Sequence, residues 1–459
     1  MVGSPAMSGP RLESPDVRPV RARVSIGLAA AITLPAVGFQ LVHPDLGHAL
    51  EALVFGVAIV GAAFLLSWAA EVAQLDISAG LAIAILALIA VLPEYAVDFV
   101  FSWKGGKSFA ATGAACLPID GGTESPCSLA LANMTGANRL LIGIGWTMVV
   151  FVTFYRLRKT GRLSKGGARW AGVVLDREHS IEISYLAVAT IYSLSLPLKH
   201  SVTLLDAVVL VTIFVLYTIR VSRAPADEPH LVGPALYLGT FADTKRRVTI
   251  VGMFVVAAGV ILLCAEPFAE VLVATGENFG VSEFLLVQWI APLASEAPEL
   301  LVAGLYAWRL NSNAALGTLV SSKVNQWTLL VGTLPIVFAI SSGTLHGLPL
   351  DAMQREELFL TAAQSFFAVA VISSLSMSLR EAGFLFGLFW IQFIMGAVVP
   401  ESMQAIERIG VGIVYLAIGT WVFVGDRGRL RHLFHDGFRA SFDELAGERA
   451  DDDRAASPS

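Results

Sequence analysis

Charge is what this sequence has least of. Only 15% of its 459 residues are Asp, Glu, Lys or Arg, where a water-soluble domain carries about 25%. That shortage excludes a soluble globular protein. Cysteine is nearly absent, with three in the chain. The eight histidines fall mainly in loops, at the edges of apolar runs and near the end. No zinc-type His or Cys cluster results, and no nucleophile has an evident base beside it, so a hydrolytic site finds little support. No cofactor is expected. The net charge of −6 sums segments on opposite faces of a bilayer, so no nucleic-acid partner is expected from it.

What is abundant is apolar: 55% of residues are hydrophobic and the mean hydropathy is +0.69. Runs of spanning length fall near 24–42, 50–70, 79–103, 128–155, 181–197, 203–221, 247–266, 282–308, 313–341, 356–378, 381–399 and 408–424. A β-barrel would show short alternating segments instead. The expectation is an all-α polytopic membrane protein with about 12 transmembrane helices. Residues 1–22 are rich in Pro, Ser, Arg and Gly and read as a disordered basic N-terminus. The run after it, within 23–42, lacks a small-residue cleavage pattern and reads as a spanning helix, not a signal peptide. From Asp426 the composition turns charged, which marks 426–459 as a solvated tail.

Lys and Arg collect on the cytoplasmic side of membrane proteins. Threading the spans from a cytoplasmic N-terminus places Arg156, Arg158, Lys159, Arg162, Lys165 and Arg169 inside, and likewise Arg220, Arg223, Lys245, Arg246 and Arg247. Glu266, Glu270, Glu277 and the loop 105–127 fall outside. Both termini are then cytoplasmic, in a bacterial-type plasma membrane. Cys116 and Cys127 share the outer loop, where thiols can oxidise. Their spacing leaves a disulfide and two free thiols both open. Cys264 lies in a span and reads as packing.

One pattern occurs twice. Pro93-Glu94, Val97 and Trp103-Lys104 match Pro298-Glu299, Val302 and Trp308-Arg309. On the following helix Asn133, Gly136 and Asn138 line up with Thr318, Ser321 and Lys323. The charge count runs the first copy outward and the second inward, so the repeats are expected to be inverted, with a site where the halves meet. Pro93 and Pro298 cannot donate to the fourth carbonyl before them, so each is expected to break its helix and release backbone oxygens. Beside each break stands a carboxylate, Glu94 or Glu299, at membrane depth, where ionisable groups are rare and belong to ion or proton paths. Oxygen-rich sites suit hard cations. Asp98 and Glu296 lie one turn from these glutamates and share their faces. Each either widens the site or braces a helix. Asn138, Ser295, Ser321, Ser322 and Asn325 offer neutral oxygens that serve packing equally well.

Pro-Glu on one helix and an Asn- and Gly-bearing stretch on the next, repeated with inversion, resembles the α-repeats of the sodium/calcium exchanger (calcium/cation antiporter) superfamily. The resemblance rests on residues 79–150 and 282–341. It implies a five-plus-five inverted repeat: a first half at 50–221, a cytoplasmic linker at 222–246 and a second half at 247–400. An extra helix flanks each end, at 23–42 and 401–425. It also implies cation-binding roles for Glu94, Asn133, Glu299 and Thr318. The sequence departs from the family pattern in ways that bear on the ion. Ala90-Val91 and Ser295-Glu296 stand where the family has Thr-Ser, Thr318 stands where Asn or Asp is expected, and Lys323 replaces the last Asn. Lys323 either sits near the glutamates as a tethered cation or reaches an interface.

The functional expectation is a secondary active antiporter moving Na⁺, Ca²⁺ or H⁺ by alternating access through a glutamate pair, with inorganic cations and the bilayer as its partners. The alternatives are a non-transporting sensor or scaffold of the same fold and a membrane-embedded hydrolase.

Overall fold

The computed structural model describes residues 19–42, 47–76, 92–113, 116–118, 124–161, 172–224, 231, 233–279, 283–425 and 427–445. The expected N-terminal disorder, the end of the tail, and the first part of the span at 79–103 lie outside the described residues, wholly or in large part.

The chain is helical, as the apolar runs require. In the first half, α1 (Pro19–Ala31), α2 (Leu34–Val42), α3 (His48–Ala73), α4 (Leu92–Thr112) and α5 (Pro126–Leu140) lead through a π-helical turn, Leu141–Trp146, into α6 (Thr147–Lys159). Then come α7 (Ser180–Ser193), α8 (Leu204–Val221) and the short α9 (Pro234–Gly239). The second half holds α10 (Asp243–Phe279), α11 (Glu283–Trp308) and α12 (Ser312–Asn325). A second π turn, Gln326–Leu330, leads into α13 (Val331–Ser342). After it follow α14 (Ala352–Ile372), α15 (Leu379–Val398), α16 (Glu401–Gly425) and α17 (Arg427–Phe438). Two antiparallel strand pairs tie loops together: β1 (Gly172–Val174) with β4 (Ser376–Ser378), and β2 (Ser201–Val202) with β3 (Leu348–Pro349).

Among the described residues every apolar window coincides with a helix, the window at 79–103 from Leu92 onward. Among the described residues nine helices are long and apolar enough to cross a membrane, ten if the bent α11 is one span, against the twelve expected. The two windows that fall short are α4, which carries Glu94, Asp98, Lys104 and Lys107, and α14, which carries Arg355, Glu356 and Glu357. In α14 the charges lower its apolar character, while the apolar first part of the 79–103 window lies outside the described residues.

Helix directions follow from cross-helix neighbours. Asn133 meets Asp98 and Cys127 meets Gly105, so α5 runs against α4. Gly136 lies on Gln288, and Gly145 on Leu300, so α5 and α11 run together. The two Pro-Glu helices, α4 and α11, therefore run in opposite directions. Likewise Tyr95 meets Asn325 and Gly106 meets Ser341, so α4 runs with α12 and α13. Small residues at these crossings let the backbones approach, which is how helices associate where lipid removes the hydrophobic drive.

One sequence expectation is met locally and one open alternative is decided. The backbone of α11 bends by 55° between Ala297 and Glu299, at Pro298, where an i−4 bond is missing. The carbonyl opposite Pro93 lies outside the described residues. Cys116 and Cys127 are joined as a disulfide, with Cα atoms 6.2 Å apart.

The end of α3 is clamped to the start of α10. Arg246 donates twice to Asp76 at 2.8 Å and Arg247 once at 2.9 Å. The Arg246 hydrogen bond, reinforced by Arg247 and opposed by burial, lowers the Asp76 carboxyl to about 2 from 3.8. A depressed folded-state value stabilises the fold above the unfolded value, and that contribution is lost as pH falls through the folded one. The difference in melting temperature between the native chain and Asp76→Asn should thus be constant above about pH 4 and vanish near pH 2. A difference independent of pH would disprove the clamp.

Candidate functional site

The site is built from four helices and one turn. Ser125 caps α5 by accepting from the backbone N–H of Ser128 at 3.1 Å, with Pro126 following it. Asn311 caps α12 the same way through Ala314 at 3.4 Å. These caps fix where the paired second helices start. Each helix then runs into a π turn, at Leu141 and at Gln326. Those positions are 185 apart, the separation that also relates Asn138 to Lys323. A π turn holds one residue more than an α turn and frequently marks a functional position.

At the centre, the side-chain amide of Gln326 donates to Glu94 Oε1 at 3.0 Å and also to Glu296 Oε1. One amide nitrogen thus joins a carboxylate from each half. Glu94, Glu296 and Gln326 are all at least 98% buried. Asn133 donates to Asp98 Oδ1 at 2.7 Å. Lys323 is fully buried, donates to the carbonyl of Asn138 at 2.9 Å and to its Oδ1 at 2.5 Å, and lies 5.0 Å above the Trp327 ring. Its charge reaches both Glu94 and Glu296. Glu299 feels Glu94 and faces Ser322, although neither Glu299 Oε2 nor Ser322 Oγ completes a hydrogen bond among the described residues.

The cluster is rich in acceptors and poor in donors. Six buried oxygens, on Glu94, Asp98, Asn133, Glu296, Glu299 and Gln326, have no hydrogen-bond partner among the described residues. Buried polar atoms are ordinarily satisfied, and oxygens left over in this number suit a hard cation or protons. Among the described residues no three His, Cys, Asp or Glu side chains form a ready-made metal shell. Amides interleave with the carboxylates instead.

The structure brings together Glu94, Asp98, Asn133, Asn138, Glu296, Glu299, Ser322 and Lys323, as the two copies of the pattern anticipate. Asn325 joins through the Tyr95 hydroxyl, which donates to it at 3.3 Å. Three candidates do not join, Ser321 among them, whose hydroxyl meets that of Tyr217 at 2.7 Å. Ser295 donates to Ala291 and Pro292 of its own helix. Thr318 is exposed and donates to the Ala314 carbonyl at 2.8 Å, because a hydroxyl in a helix readily bonds the carbonyl one turn back. Sequence reasoning missed Gln326. The available signal was a polar amide in an apolar span where the other copy has Leu141.

A profile of the sodium/calcium exchanger protein family matches residues 48–223 and 249–399. A crystal structure of the H⁺/Ca²⁺ exchanger CAX is similar at a TM-score of 0.81 and 38% identity, covering 94% of this chain and 100% of that one. Native YfkE shares the fold at a TM-score of 0.53 and 17% identity, covering 85% of this chain and 100% of that one. Comparison with curated proteins gives no match. The family is one of transporters, which removes the hydrolase alternative. With both halves matched in chain order around the paired glutamates, this integral membrane protein belongs to the sodium/calcium exchanger family of cation antiporters.

Proposed function

We propose that the chain exchanges protons for calcium through the carboxylates gathered at Gln326. The observation that carries this reading is the single amide bridging Glu94 and Glu296. It holds two like charges together in a site walled from water, where they need neutralising. One Ca²⁺ or two protons neutralise the same pair, so binding of one displaces the other. The likeness to the H⁺/Ca²⁺ exchanger CAX supports these ions. The opposed directions of α4 and α11 support an inverted repeat with halves at 50–221 and 247–400, which exposes the site to one side at a time. The basic loops support cytoplasmic termini, a cytoplasmic linker at 222–246 and a plasma-membrane location. In this reading Glu94, Glu296 and Glu299 bind the cation, Asn133 and Gln326 complete its oxygen shell, and Lys323 is a resident positive charge.

Proteoliposomes loaded with a calcium dye test this directly. An outwardly directed proton gradient should drive calcium uptake, with alkalinisation of the lumen. Uptake driven by a sodium gradient and indifferent to the proton gradient would overturn the assignment.

Lys323 sets a second expectation. A fixed ammonium beside the carboxylates opposes a divalent ion, so Lys323→Met should tighten calcium binding roughly tenfold, about 1.4 kcal/mol. Trp327, under the Lys323 ammonium, supplies the fluorescence readout. Unchanged or weaker binding would show that Lys323 does not compete with the ion.

A further inference from the structure

A second polar cavity, of about 410 Å³, lies away from Gln326 and is walled by α11, α14, α15 and α16. Most of its charges settle one another. Arg139 meets Glu357 at 2.6 Å and stacks 5.1 Å from the Trp289 ring. Arg408 meets Glu356 at 2.8 Å and lies 3.9 Å from Glu357. Gln288 donates to Glu357 at 3.0 Å, and Glu124 stands at the rim. Glu407 shares the Arg139 and Arg408 charges with Glu356 and Glu357, which leaves the chamber with more carboxylates than guanidinium groups. Glu407 is 6% exposed, and neither of its oxygens has a hydrogen-bond partner among the described residues.

Glu407 also lines a second hollow. An apolar groove of about 390 Å³ runs between α15 and α16, walled by Leu388, Met395, Met403, Gly410 and Val414. A polar chamber and an apolar slot therefore meet at one buried carboxylate. The helix faces around the groove carry exposed apolar side chains, Ile391 at 54% and Ile406 at 68%, where acyl chains lie in a spanning bundle. An amphiphile fits both hollows at once, and the charge of Glu407 calls for a cationic head. The α16 helix also lies beyond the residues matched by the family profile, so the site does not rest on the transport reading.

We infer that Glu407 and the α15–α16 groove bind a membrane phospholipid with a primary ammonium head, its chain in the groove and its ammonium on Glu407. Arg139, which reaches the chamber wall, directly follows Asn138, the acceptor for Lys323. A lipid seated here therefore abuts the helix that carries part of the ion cluster.

Native mass spectrometry of the detergent-purified full chain tests this with added phosphatidylethanolamine, phosphatidylglycerol and phosphatidylcholine. The expected result is preferential retention of phosphatidylethanolamine by about tenfold or more, lost in Glu407→Gln. Gly410→Leu guards against a misfolded variant. A Cβ there meets nothing within 4 Å and leucine is the better helix former, so the chain should fold while the groove is filled and lipid retention falls. Equal retention of the three lipids, or a preference that survives both substitutions, would overturn the inference. So would Glu407-dependent binding of dodecylamine without binding of the phospholipid, which would assign the site to a free amine.

Discussion

Proteoliposomes carrying Glu296→Gln should take up calcium at less than about a hundredth of the native rate under a proton gradient, the equivalent of about 3 kcal/mol for breaking a buried charge arrangement. Glu94→Gln should do the same. The prediction for Glu296 is the sharper one. A site limited to the repeat-related pair Glu94 and Glu299 would tolerate its loss, whereas the structure places Glu296, not Glu299, on the bridging amide of Gln326. Thr318→Ala supplies the opposite control. Its hydroxyl bonds the Ala314 carbonyl and is exposed, so flux should stay within about twofold of native, as for a surface substitution. Native flux in Glu296→Gln, or loss of flux in Thr318→Ala, would return the site to the pair and the threonine that the family pattern implies.

The second large effect is expected at Gly136. A Cβ there would stand 1.7 Å from the carbonyl oxygen of Gln288 and 2.7 Å from its carbon. Both are backbone atoms and cannot swing aside, so Gly136→Ala must push α5 away from α11. That displacement separates Asn133 and Asn138 from the carboxylates of α11, so calcium flux should be lost. Stability should fall by about 3 kcal/mol, as in overpacked cores. Gly387→Ala is the matched comparison: nothing lies within 4 Å of its Cβ, and alanine there should leave melting temperature level or raise it slightly. Thermal unfolding in detergent, followed beside flux, checks both. A Gly136→Ala protein as stable and active as the native one would mean that the α5–α11 contact is looser than described.

Much of this architecture was legible because lipid makes such blunt demands. The apolar windows are helical wherever they are described, and the duplicated Pro-Glu located α4 and α11. Pro298 marked the bend. The count of spans was less legible at α14, whose Arg355, Glu356 and Glu357 make it look poor as an isolated span. Glu94, Asn133, Asn138 and Lys323 could be found because each occupies a position defined by the repeat, and Asp98 because it lies one turn from Glu94. Gln326 could not be found that way. Its partner position is Leu141, and whether it faces the carboxylates depends on the π turn that begins there, which shifts the angular register of everything after Asn325. Thr318 differs for the converse reason. Its position matches Asn133, but its side chain is exposed and bonded to the Ala314 carbonyl of its own helix. The Arg139–Glu357 pair joins residues 218 apart in sequence, and neither belongs to the repeated pattern.

The bond between Lys323 and Asn138 deserves a last consequence. In the proposed inverted repeat, equivalent positions that touch lie on the axis relating their two segments, so whatever occupies one must tolerate its counterpart. Two copies of the N-terminal segment would set amide against amide, a neutral and mutually bonding arrangement. Two copies of the C-terminal segment would set ammonium against ammonium in a dry interior. The lysine therefore makes the two segments chemically unequal at the very place where they meet.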